Sequence, residues 1–153
     1  MREIIFRGKR MDNGEWAEGY LYEHEPKLVG IVSENDVPEP SQWFIARTGF
    51  AEWNMPRPVE CVEVDRSTIG QYTGLKDKNG KKIFEGDILG SRYDDLYPDD
   101  VAIEVVTWFR NGWYIRQGGS LPEALNEYGV LPYSEVIGNI HDNPELLKEE
   151  AQQ

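Results

Sequence analysis

Cysteine is almost missing from this chain. Cys61 stands alone, so no intramolecular disulfide can form. That usage fits a reducing compartment, so a cytoplasmic location is expected. Long apolar runs are missing too: no stretch approaches the ~18 residues of a membrane-spanning helix. The start, Met1-Arg2-Glu3-Ile4-Ile5-Phe6-Arg7, carries charges where a signal peptide has its apolar core. Neither membrane insertion nor export by the usual route is expected. Positive charge is short as well, with 16 Lys and Arg against 28 Asp and Glu and a net charge of −12. Affinity for duplex nucleic acid comes largely from Lys and Arg displacing counterions, so a duplex is a disfavoured partner. Two local basic clusters run against the overall sign: Arg2, Arg7, Lys9 and Arg10, and then Lys76, Lys78, Lys81 and Lys82. Both lie beside turn signals, where Lys is commonly solvated or guards a sheet edge.

The familiar constellations of catalysis are also missing. His24 and His141 are the only histidines, and with Cys61 they form no HxxxH or CxxC pattern for zinc. A Cys-His nucleophile pair meets only in space, but Cys61 within Val59-Glu60-Cys61-Val62 reads first as a small core residue. Arg116-Gln117-Gly118-Gly119-Ser120-Leu121 fits neither GxxxxGK[ST] nor GxGxxG. Asp94, Asp95, Asp99 and Asp100 lack the spacing of a calcium-binding EF-hand loop, and so does Asp77-Lys78-Asn79-Gly80. The expectation is no metal, no cofactor and no catalytic residue.

Turns and strands are plentiful. Asn-Gly occurs at Asn13-Gly14, Asn79-Gly80 and Asn111-Gly112, each time between strand-like residues. Asn-Gly suits a type I′ hairpin turn, whose two central residues both take positive φ. The securest hairpin runs from Ile103–Phe109 into Trp113-Tyr114-Ile115. Further strands are expected at Ile4–Arg7, Trp16–Tyr22, Leu28–Val32, Trp43–Arg47 and Val59–Val64. Pro-rich or acidic loops are expected at Ser33–Gln42, Asn54–Pro58 and Asp94–Asp100. Gly14 and Gly80 open similar segments, one with Glu18-Gly19 and the other with Glu85-Gly86, read as one local solution used twice. Helix is scarce. Pro122–Tyr128 suggests two turns, and Asn143–Glu150 a short terminal helix with Asn143 as N-cap and Pro144 in its first turn.

Three segments resemble the YopX proteins, a family of bacteriophages and prophages. They are residues 2–22, with Phe6-Arg7-Gly8-Lys9-Arg10 and Gly19-Tyr20-Leu21; residues 65–90, with Gly70-Gln71-Tyr72-Thr73-Gly74-Leu75 and Ile83-Phe84-Glu85-Gly86-Asp87-Ile88; and residues 134–147, with Glu135-Val136-Ile137-Gly138-Asn139-Ile140. The resemblance implies a β-rich phage or prophage protein and brings no catalytic residues to carry over.

The expected fold is mainly β: hairpins packed as small twisted sheets or a partly open barrel, plus the short C-terminal helix. Residues 1–153 are expected to form one YopX-like domain. The Pro-rich stretches suggest two lobes within it, 1–64 and 65–153. Two groups of candidate residues remain. Glu85 and Asp87, two apart, would share a face of a strand as ligand-binding carboxylates do, although Gly86 between them suggests a bend whose amides an acid accepts. Trp108, Trp113 and Tyr114 flank the third hairpin turn. They read as cross-strand pairs or, where exposed, as a contact patch for another protein. Single-stranded nucleic acid would stack on such rings, but it also needs a basic groove. The preferred reading is a non-enzymatic module binding a host or phage protein, with homo-oligomers plausible through sheet edges. The alternative is an enzyme or small-ligand binder with its site at the Glu-Gly-Asp bend.

Overall fold

The computed structural model describes residues 3–25, 40–48, 59–93, 100–118, 121–126 and 128–147. Among these, all regular structure is β-strand or short 3-10 turn, with no α-helix. Two compact units divide the chain, Ile4–Ile69 on the one hand and Met1–Glu3 with Gly70–Gln153 on the other.

The first unit is a four-stranded antiparallel sheet. Its strands are β1 (Phe6–Lys9), β2 (Trp16–His24), β3 (Gln42–Thr48) and β4 (Val59–Glu63), in the order β4-β3-β2-β1. Side chains alternate across a pleated strand, so one set of residues is buried and the next faces out. The buried set is Ala17, Ile45, Val62 and Val64, packed with Phe6, Leu21, Trp43 and Ile69. After β4 the chain bridges back to the end of β1. Val64 pairs with Arg10, and Asp65 N–H donates to the Lys9 carbonyl at 2.8 Å. Lys9 N–H in turn donates to Thr68 Oγ1 at 2.8 Å. Gly19 is needed inside β2 because a Cβ there would collide with the Ala46 carbonyl oxygen of β3.

The second unit holds β5 (Gly70–Lys76), β6 (Lys82–Phe84), β7 (Asp87–Ser91), β8 (Ala102–Phe109), β9 (Gly112–Arg116), β10 (Glu123–Ala124) and β11 (Ser134–Asn139). A five-stranded antiparallel sheet runs β10-β9-β8-β7-β11, and β5 pairs with β6 as a hairpin. Every residue of β7 is buried. The core joins Ile83, Leu89, Val106, Trp113, Ile115 and Leu131, among others. Neither sheet closes into a barrel.

Several expectations are corrected. The terminal helix is absent among the described residues. Pro144–Leu147 makes a single 3-10 turn, and residues 148–150 lie outside the described part. The Asn143 carbonyl accepts from Leu146 N–H at 3.2 Å, but its Oδ1 turns back to accept from Asn139 N–H at 3.4 Å. Nor do the described residues of 122–128 form a helix. Glu123 and Ala124 pair with Ile115 and Tyr114, and Leu125 N–H donates to the Trp113 carbonyl at 3.0 Å. Burying Leu125 in the core outweighs the local helical preference.

The hairpin turns fall where Asn-Gly predicts, but not as type I′. Gly14 and Gly80 take positive φ without their asparagines, in loops of four and three residues. At the third turn Phe109 pairs with Gly112, which makes Arg110 and Asn111 the loop, and Arg110 adopts φ 55°.

The two Glu-Gly segments also differ. Gly19 lies within continuous β2, whereas Glu85-Gly86 turns the chain between β6 and β7, with φ 80° at Gly86. The residue after the glycine decides this. Asp87 Oδ2 accepts from Phe84 N–H at 2.8 Å and closes the turn, while Tyr20 at the matching place offers no carboxylate. Cys61 is exposed rather than in the core, because Val62 and Val64 take the inward positions of that strand. The expected strand Leu28–Val32 and the loop Asn54–Pro58 lie outside the described residues, as do Phe50, Trp53, Asp94, Asp95 and Asp99.

Candidate functional site

Pairing in the first unit fixes which side chains share its outer face. Lys9 opposes Trp16, Arg7 opposes Glu18, Tyr20 opposes Ala46 and Tyr22 opposes Phe44, which itself opposes Glu63. The result is a row of rings along β2, extended onto β3. Tyr20 is 66% exposed and Tyr22 53%. Tyr22 lies 6.3 Å from both the Phe44 and the His24 rings. At the other end of the row, Arg7 Cζ sits 4.7 Å and Lys9 Nζ 5.6 Å from the centre of the Trp16 ring. Aromatic faces attract cations through their quadrupole, so this surface already stacks cationic side chains of its own chain. Sequence reasoning placed Tyr20 and Tyr22 in a strand without marking them as a surface. The signal was available: Trp16, Glu18, Tyr20, Tyr22 and His24 alternate with Ala17, Gly19 and Leu21.

Glu85 and Asp87 are not a matched pair of carboxylates on one strand face. Glu85 is in the turn, half-buried, and its N–H donates to the Gln71 carbonyl at 2.9 Å. Asp87 is 1% exposed in β7 and binds the Phe84 amide. The turn is also held by Gly86, whose N–H donates to the Val106 carbonyl and whose carbonyl accepts from Ile140 N–H, both at 2.9 Å.

Trp108 and Trp113 are direct cross-strand partners, edge to face, with ring centres 4.9 Å apart. Phe109 and Tyr114 pack edge to face at 5.6 Å. Trp113 is buried and Trp108 about half exposed.

The structure adds buried acids that sequence reasoning did not single out. Glu104 in β8 accepts from Ser91 Oγ at 2.6 Å and from the Tyr93 hydroxyl at 3.0 Å. Ser91 Oγ also lies 2.6 Å from Ser134 Oγ, which in turn lies 2.8 Å from the Val130 carbonyl oxygen. Burial beside this carboxylate pushes the Tyr93 phenol up to about 12. Asp77, also buried, accepts three backbone amides at 2.9 Å: Asn79 and Lys81 on Oδ1, Val136 on Oδ2. It thereby ties the β5–β6 turn to β11. No sequence period marks Glu104, since its place is set by the pairing of β7 with β8 and β11. Among the described residues, no group of three or more His, Cys, Asp or Glu is placed to hold a metal ion. No helix there is long and apolar enough to cross a membrane.

The sequence profile of the YopX proteins matches residues 31–148. The chain belongs to the YopX family. Two of the three resembling segments, 65–90 and 134–147, fall inside this match, and the first precedes it. The crystal structure of protein EF1440 from Enterococcus faecalis is similar to this YopX-family chain, with 24% identity and a TM-score of 0.49. The similarity covers 96% of this chain and 99% of that one. No curated protein matches the chain.

Proposed function

We propose that this YopX-family chain is a phage- or prophage-encoded, non-enzymatic module that binds a host or phage protein in the bacterial cytoplasm. Its docking surface is the outer face of the first unit, and its partner presents Arg and Lys side chains. The observation that carries the reading is the exposure of Tyr20 and Tyr22 on a sheet whose opposite face carries the buried Ala17, Ile45 and Val62. Exposed rings in a row, set among Glu18 and Glu63, form the kind of amphipathic surface that protein interfaces use. Charge decides the class of partner. A net −12 speeds encounter with basic surfaces and slows it with acidic ones. Arg side chains stack on aromatic rings while pairing with carboxylates, which this face supplies side by side.

Speaking against the alternative at the Glu-Gly-Asp bend, Asp87 is 1% exposed and its Oδ2 accepts from the Phe84 amide. The test is titration with an Arg-rich peptide, followed by the ring signals of Tyr20 and Tyr22, beside affinity capture from host extract. Saturable shifts that weaken with salt, and captured basic proteins lost with Tyr20→Ser/Tyr22→Ser, are expected. Stability should stay within ~0.5 kcal/mol, as for surface substitutions generally. Unchanged capture by the double variant overturns the reading. So does self-association through this face in sedimentation, which would make a second copy the occupant.

A further inference from the structure

We infer that the second unit carries a separate binding site, a cavity over the β5–β6 hairpin that takes a small organic anion with a flat apolar body. The cavity measures about 440 Å³, within the range of small-molecule pockets. Leu75, Leu131, Pro132 and the buried Tyr72 are among its lining residues, together with Lys76 and Lys78. A bulge opens it: the β5–β6 register shifts between Tyr72 and Lys76, and Gly74 there takes φ 88°. Bulges of this kind re-aim side chains and are common beside binding sites.

Charge identifies the ligand class. Lys76 is the direct cross-strand partner of Lys82, a like-charge pairing that costs stability. Lys82 Nζ lies 5.5 Å from the centre of the Tyr72 ring, and Tyr72 is one of the lining residues. Lys78, 3.4 Å from Glu135, adds a third ammonium. In a chain of net charge −12 this concentration of cations runs against the global sign. Local violations of this kind are expected at functional positions. Asp77, the carboxylate at the cavity, directs its oxygens to the Asn79, Lys81 and Val136 amides. A flat apolar body would lie against Leu75, Leu131 and Pro132, with its anionic group among the lysines.

The experiment is amide chemical-shift mapping of the whole chain with phenyl phosphate, benzoate, inorganic phosphate and neutral benzyl alcohol. Phenyl phosphate and benzoate should give saturable shifts at Tyr72–Lys78 and Leu131, with Kd on the order of 1 mM. Inorganic phosphate and benzyl alcohol should each bind at least ~10-fold more weakly, a loss of about 1.4 kcal/mol or more. Lys76→Gln/Lys78→Gln should weaken phenyl phosphate by a similar factor. Tyr20→Ser/Tyr22→Ser should leave it unchanged, which separates failure of this site from failure of the aromatic face. Equal shifts with benzyl alcohol, no saturable shift, or unaltered binding by the lysine variant would each overturn the inference.

Discussion

The two units place their carboxylates differently. In the first, described ion pairs lie in water, Arg10 with Asp12 at 2.6 Å and Arg47 with Glu60 at 2.8 Å, while tyrosines stand on the surface. In the second, carboxylates and hydroxyls go inside: Asp77, Asp87, Glu104, Ser91 and Ser134 are all buried. A carboxylate in water is already solvated, so its ion pair adds little. One removed from water must be fully hydrogen-bonded, and the groups that satisfy it become fixed in turn. The second unit thus uses acids as internal fasteners, and the first keeps its ion-paired acids and its tyrosines in water.

Substituting the fasteners should sharpen this contrast most. Asp77→Ala removes the acceptor of three backbone amides and is expected to cost ~3 kcal/mol or more, read by urea denaturation. Asp77→Asn, which keeps one acceptor oxygen, should cost less. A loss below ~1 kcal/mol for the alanine variant would break the comparison.

A smaller effect is expected at alkaline pH. The folded Tyr93 phenol holds its proton up to about 12, above its ordinary value of 10.0. Its contribution is therefore complete below pH 10 and lost as pH rises through the folded value. Denaturation midpoints should fall over that window in the parent chain, and Tyr93→Phe should remove this part of the slope.

The smallest effect belongs to the first unit. The hydrogen bond from Arg47 holds the Glu60 carboxyl below the usual range. Its contribution is present above the unfolded value and fades as pH falls through the depressed folded one. Because the pair is exposed, Glu60→Gln should barely move the melting temperature at neutral pH, and salt should erase any difference. A shift at neutral pH comparable to that of Asp77→Ala would mean that the first unit, too, depends on its acids.

Much of the fold was legible because its cause is local. Val59–Val64 alternates strictly, and once Val62 and Val64 face inward, Cys61 and Glu63 must face out. The apolar content of this segment left the inward face undecided, so only pairing with β3 chose it. The hairpin at Ala102–Arg116 was legible for the same local reason, although Arg110 rather than Gly112 supplies its positive φ. The candidate sites were less legible. Glu85 and Asp87 lie two apart in sequence, yet a turn separates them. Tyr20 and Phe44 became one surface only when β2 paired with β3.

What the sequence determined by itself is the β character, the places of the turns, the acidic field and the YopX membership. The first three follow from residue period, glycine placement and net charge, which need no distant contact, and the membership follows from the profile match over residues 31–148. The tertiary structure alone decided which acids are buried, which aromatics stay in water and where the lysines of β5 and β6 converge. Those outcomes depend on strand register, in which one residue of shift exchanges the two faces of a sheet.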